Sequence, residues 1–225
     1  MKMLITFAVF IFGSISVMAQ SRAFTEQLMQ DGCTFETIGR NRYFILEPGY
    51  QLVLENMSGD RLVVTVLNET RKIGVVETRV VEENESRNGK TTEISRNFFA
   101  ICRENGGVYY FGEEVDIYRD GKVIKHEGAW RAEGVNKAGL LMPALPLIGA
   151  RYFQEIAPGV AMDRAEVISV SETRETPAGK FNECLKTEES SSLESGKEFK
   201  YYAPGIGLIQ EEGLLLKSYG KIKDQ

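Results

Sequence analysis

Glu113, Glu114 and Asp116 place three carboxyl groups within four residues, a grouping that serves as acid and base in glycan cleavage or as oxygen ligands for calcium. On an extended segment Glu114 and Asp116 project to one side and Glu113 to the other, so only two of the three can converge. Asp120, beyond the next turn, would be the further ligand of a calcium set. A solvated strand face that discourages edge pairing accounts for the same residues more simply, and that reading is preferred. The runs Glu82-Glu83-Asn84-Glu85 and Glu211-Glu212 are assigned in the same way to loops or exposed faces.

The remaining chemistry is sparse. His126 is the single histidine, so a Ser-His-Asp or Cys-His mechanism would have to use it, and no Gly-x-Ser-x-Gly elbow supplies a nucleophile. His126-Glu127 lacks the second histidine of a zincin, there is no Cys-x-x-Cys, and no glycine-rich phosphate loop follows a strand. No catalytic residue, metal centre or cofactor is expected. Residues 1–19 combine Lys2, an apolar run from Met3 to Phe12, and Val17 and Ala19 at small-residue cleavage positions, which reads as a secretory signal peptide cut after Ala19. Without it, 26 basic residues face 32 acidic ones, a net charge of about −6 that argues against a nucleic-acid partner. No later apolar stretch has the length to span a membrane; the longest, Ala138 to Gly149, is short and holds Pro143 and Pro146.

In an exported chain Cys33, Cys102 and Cys184 allow one disulfide with one thiol left over. Cys102 with Cys184 is the favoured pair, because both lie in strand-like segments; three buried thiols acting as small hydrophobes is the alternative.

The elements that must position these groups are strands. Arg22 to Gln30, with Phe24, Leu28 and Met29 on one side, is the only stretch with a helical pattern. Beyond it the period becomes two: 50–55 and 61–67 flank Ser58-Gly59-Asp60, and Asn88-Gly89 and Asp120-Gly121 are hairpin turns between β-rich runs. Gly134 to Gly149 reads as an irregular crossing that covers one end of the sheet. Strands return at 151–156, 165–176, 181–188, 197–203 and 206–217, with Ser190-Ser191-Ser192 and Glu194-Ser195-Gly196 in a solvated loop. The expected fold is all-β: one domain over 20–225, an antiparallel meander of about ten strands forming a roll, half-barrel or barrel, with a short N-terminal helix.

Tyr109-Tyr110-Phe111-Gly112-Glu113, Thr176-Pro177-Ala178-Gly179-Lys180-Phe181 and Tyr201-Tyr202-Ala203-Pro204-Gly205-Ile206-Gly207-Leu208-Ile209 together resemble a family of exported bacterial β-rich proteins with no assigned activity. The last two segments are also similar to parts of exported β-roll proteins akin to the lipoprotein-carrier half-barrels. The resemblance implies fold and export and carries over no catalytic residue. On physical grounds the segments are architectural: Pro177 and Gly179 make a turn that Phe181 anchors. The function expected is binding, without catalysis, of a ligand, a lipidic one included, or of an envelope protein. Tyr110, Tyr118, Trp130, Met142 and Leu145 are the candidates to line or lid the site, from their place in the aromatic strands and the apolar crossing. Two alternatives stand beside it: a carboxylate-dependent hydrolase of envelope glycan resting on Glu114 and Asp116, and a structural protein of envelope assembly.

Overall fold

The computed structural model describes residues 23–222 apart from 27, 29 and 127; the expected signal peptide and its cleavage site lie outside the described residues. Three short strands come first: β1 (Phe35–Glu36), β2 (Gly39–Asn41) and β3 (Phe44–Leu46). A meander of long strands follows, β4 (Tyr50–Glu55), β5 (Asp60–Ile73), β6 (Val76–Arg87), β7 (Lys90–Cys102), β8 (Val108–Arg119) and β9 (Lys122–His126). Short strands cross the middle: β10 (Trp130–Arg131), β11 (Lys137–Met142), β12 (Arg151–Phe153) and β13 (Glu155–Ile156). A second meander closes the chain, β14 (Asp163–Thr176), β15 (Gly179–Ser191), β16 (Glu198–Ala203), β17 (Gly207–Glu211) and β18 (Leu214–Lys221).

The local sequence explains the meander. Leu62, Val64 and Val66 are buried in alternation with more exposed neighbours on β5, so one face turns inward. Asn88-Gly89 and Asp120-Gly121 both take positive φ, at 51° and 77° and at 50° and 74°, the paired left-handed geometry that suits a two-residue hairpin turn. Both expected turns are therefore present.

The sheet runs β12-β14-β15-β16-β17-β18-β4-β5-β6-β7-β8-β11-β13, so the last strand pairs with β4 and the two meanders join side by side, Leu216 opposite Leu54. Its two ends belong to one stretch of chain. β12 pairs with β14, β13 pairs with β11, and only Gln154 separates them, its N–H donating to the Asp163 carbonyl at 2.7 Å. Residues 151–156 thus bridge both edges and bring the sheet close to a closed barrel, which limits the edge available to other chains. Gly139 permits that closure, since a Cβ there would stand 2.0 Å from the Gln154 carbonyl oxygen. β11 corrects the expectation for 134–149: residues 137–142 form a stave of the barrel, and only 134–136 and 143–149 are irregular. Its Ala and Gly content hides a strand chosen for close approach.

The β2–β3 hairpin closes one end of the barrel. Asn41, 5% exposed, donates to the carbonyls of Gly106 (2.9 Å) and Pro143 (3.1 Å), and the Tyr43 hydroxyl donates to the Glu183 carbonyl at 3.0 Å. Tyr43, Ile45 and Leu46 are buried beneath it, each contributing about 1.5–3 kcal/mol on full burial.

Two expectations fail near the N-terminus. Among the described residues no helix occurs: in the segment assigned to one, the Thr25 N–H donates to the Arg151 carbonyl at 3.0 Å and the Thr25 carbonyl accepts from the Phe153 N–H at 3.2 Å. The free edge of β12 offers those backbone groups partners, and Phe24 packs on Phe153 with ring centroids 5.9 Å apart. The disulfide joins Cys33 to Cys102, leaving Cys184 as a buried thiol. β1 lies antiparallel on β7 with Phe35 opposite Cys102, which brings Cys33 alongside, whereas six strands separate β15 from β7 in the sheet. The bond closes a separation of 69 residues and restricts the unfolded chain by about 4 kcal/mol.

Candidate functional site

Cross-strand register decides which side chains face the barrel lumen. Val64, Glu83, Ser95 and Val115 are direct neighbours across β5 to β8, and one step deeper Val66, Val81, Asn97, Glu113 and Trp130 form the next row through β10. Toward the open end the row is Leu62, Glu85, Glu93 and Ile117. On the opposite wall Tyr152, Ala165, Glu189 and Glu198 form one row, and Val167, Thr187 and Lys200 the next. Alternation therefore places carboxyl groups inside the barrel, in the phase where β5 carries Leu and Val.

Two groups of polar side chains result. In the first, the Lys200 ammonium lies 3.3 Å from Glu189, 3.3 Å from Glu198 and 2.9 Å from Glu211. Burial alone would lower Lys200, but these carboxylates outweigh it and hold the ammonium well above its ordinary range. The Thr187 and Tyr202 hydroxyls donate to Glu189 at 2.9 Å and 3.2 Å. Glu83 keeps partial access to solvent through the lumen, yet protein surrounds it, and burial with the nearby Glu211 pushes its carboxyl up to about 8. Burial likewise lifts Glu198 to about 7, against the pull of Lys200. The Tyr152 hydroxyl is 4% exposed at the residue level and has no hydrogen-bond partner.

The second group lies across the lumen. Burial raises Glu113 to about 7 and Glu155 to about 8, and each carboxyl reinforces the rise through its acidic neighbours. Asp163 is raised too, first by burial. The Trp130 indole N–H lies close enough to Glu113 and Glu155 to lower both, without a well-aligned bond to either. Tyr110 donates to Asn97 and lies 3.1 Å from Glu113, its ring 5.3 Å from Trp130 and 4.6 Å from Phe99.

Between the walls is a cavity of about 100 Å³. Its floor is apolar, formed by Phe44, Leu52, Val64, Val66, Val81 and Phe99; its outer end is the ring of Glu83, Glu189, Lys200, Tyr202 and Glu211. Two larger hollows of about 380 Å³ and 330 Å³ lie at the open end, one reaching Glu85, Glu211 and Glu212, the other Asp163, Glu189, Glu198 and Glu212. Glu211 and Glu189 belong to both the cavity and a hollow, so the lumen opens into an acidic mouth.

Of the residues singled out from sequence, Tyr110 and Trp130 meet in the lumen, and Met142 is buried at 1% exposure at the end of β11. Tyr118 lines a shallow hollow with Ile94 at the β8–β9 turn, and Leu145 is 76% exposed in the loop after β11, so neither joins them. Glu114 is paired with Arg131 and Arg71, and Asp116 with His126 at 2.6 Å and Arg96 at 3.9 Å, each carboxylate held by basic neighbours. Among the described residues one trio of metal-type ligand atoms converges, at Cys33, Cys102 and Glu104, and both sulfurs are consumed by the disulfide. Glu83, Glu189, Lys200 and Glu211, which line the cavity, are not among the residues that the sequence singles out. Glu83 was assigned to an exposed run although it sits two residues beyond Val81 in the same strand phase, the one signal that could have placed it inside.

No family model matches the chain, and no curated protein does. Among solved structures the chain is similar to a protein from Bacteroides fragilis named for its YmcC-like fold and inferred export, at 17% identity over 84% of this chain and 100% of that one, with a TM-score of 0.38.

Proposed function

We propose that the protein is exported and acts as a binding protein that takes the end of a small amphipathic ligand into its barrel lumen. The observation that carries this is the enclosed cavity itself, apolar at its floor, polar at its rim and continuous with an open mouth. An apolar floor takes up an apolar group, while the rim supplies the few polar contacts that orient it. An engineered apolar cavity of about 150 Å³ holds benzene, so this smaller one accepts a short branched or cyclic group. That size and the acidic mouth favour a small amphiphile over a long-chain lipid. Export rests on residues 1–19.

Native mass spectrometry of the mature protein, purified gently from its own exporting compartment, tests the reading. A discrete small adduct is expected, absent from a Val64→Phe variant that fills the cavity and keeps the wild-type circular dichroism. A bare polypeptide mass for the wild type, or an adduct retained in full by the variant, would overturn it.

A further inference from the structure

Lys200 shows how the lumen treats a cation. Its ammonium is already enclosed by carboxylates at 3.3, 3.3 and 2.9 Å, and Glu83 faces the same space, so four carboxyl groups surround one positive charge. Further out, Glu85, Glu212 and Asp163 line the approach, and the basic groups there, Arg61, Arg87 and Lys197, are paired with Glu55, Asp60 and Glu188. Any ligand must pass these groups, and a negative head would meet them at close range in a site poorly screened by solvent.

A bare divalent ion fits less well. Among the described residues no trio of lumen carboxylates brings its oxygens within 4.8 Å of one another. The carboxyls are instead staggered along the lumen, a spacing that suits an organic cation attached to an apolar body.

Resting on the lumen-binding reading above, we propose that the ligand is a small primary amine, its ammonium held among Glu83, Glu189 and Glu211 beside Lys200 and its alkyl group in the floor formed by Val64, Val81 and Phe99.

Three probes sharing one isobutyl group separate the possibilities: isobutylamine, isobutanol and isovalerate, titrated into the full mature protein with 13C-labelled methyl groups. Isobutylamine is expected to shift the methyls of Val64, Val66 and Val81 saturably, with a dissociation constant at least tenfold below that of isobutanol. Isovalerate is expected to give no saturable shift. At pH 8.5, where Glu83 is ionised and the amine still protonated, Glu211→Gln and, independently, Glu83→Gln should each weaken isobutylamine at least fivefold while leaving isobutanol within twofold, the undisturbed methyl spectrum showing that each variant is folded. If isobutanol or isovalerate binds as tightly as the amine, the cation assignment fails and the lumen reading stands. If none of the three shifts the lumen methyls, both fail.

Discussion

Replacing Glu83 by glutamine removes a carboxyl that the fold holds under strain. The folded protein keeps this group protonated up to about pH 8, whereas the unfolded chain releases the proton near 4.5. Between those limits the folded state binds more protons than the unfolded state, so stability is full below about pH 4.5 and falls as the pH rises toward 8. The displacement corresponds to at most about 5 kcal/mol. Solvent in the lumen, and proton sharing with Glu85, Glu113 and Glu211 against the pull of Lys200, reduce that limit, and about 1–3 kcal/mol is expected. Glutamine keeps the shape and carries no charge. Urea unfolding followed by circular dichroism should therefore show Glu83→Gln more stable than the wild type by about 1–3 kcal/mol at pH 8.5 and equal to it within about 0.5 kcal/mol at pH 4.5. A variant less stable by the same amount at both pH values would refute the assignment of Glu83 to the enclosed lumen.

Lys200→Met strips the central cation from Glu189, Glu198 and Glu211, and should cost about 3–5 kcal/mol at pH 8 and less at pH 5, read from the same urea transitions. Cys33→Ser should lower stability by about 4 kcal/mol and match the effect of reductant on the wild type, while Cys184→Ser should leave the non-reducing disulfide assay unchanged. Gly139→Ala drives a methyl group into the Gln154 carbonyl and should destabilise the fold by about 2 kcal/mol or more, with hydrogen exchange rising first in β11 and β13.

The meander was legible because its turns are local. Asn88-Gly89 and Asp120-Gly121 announce themselves by residue type, and the Leu62, Val64, Val66 alternation needs no knowledge of the partner strand. Glu83 and Glu85 were not legible in the same way, because a barrel that keeps its lumen polar breaks the rule that the inward phase is apolar. The phase that Glu83 shares with Val81 is the one local hint, and the pairing of Val64 with Glu83, a long-range register, is what makes it decisive. The helix expected from Phe24 and Leu28 yielded to a sheet edge that the local sequence does not describe. The disulfide followed the same logic: Cys33 reaches Cys102 because β1 docks on β7, and strand-likeness around Cys184 had no bearing on distance. Tyr110 and Trp130 are in contact with each other beside Glu113, a placement that residue type alone suggests for large rings in a barrel, while Leu145 shows that an apolar crossing need not fold back over the barrel.

The most direct test of the lumen as a binding site is a crystal structure of the mature protein taken from its own exporting compartment without any step that strips small molecules. The account predicts density for one compound with its apolar end between Val64, Val81 and Phe99 and its polar end at Glu83, Glu189 and Lys200. A lumen holding ordered water alone, with the Tyr152 hydroxyl satisfied by that water, would contradict it.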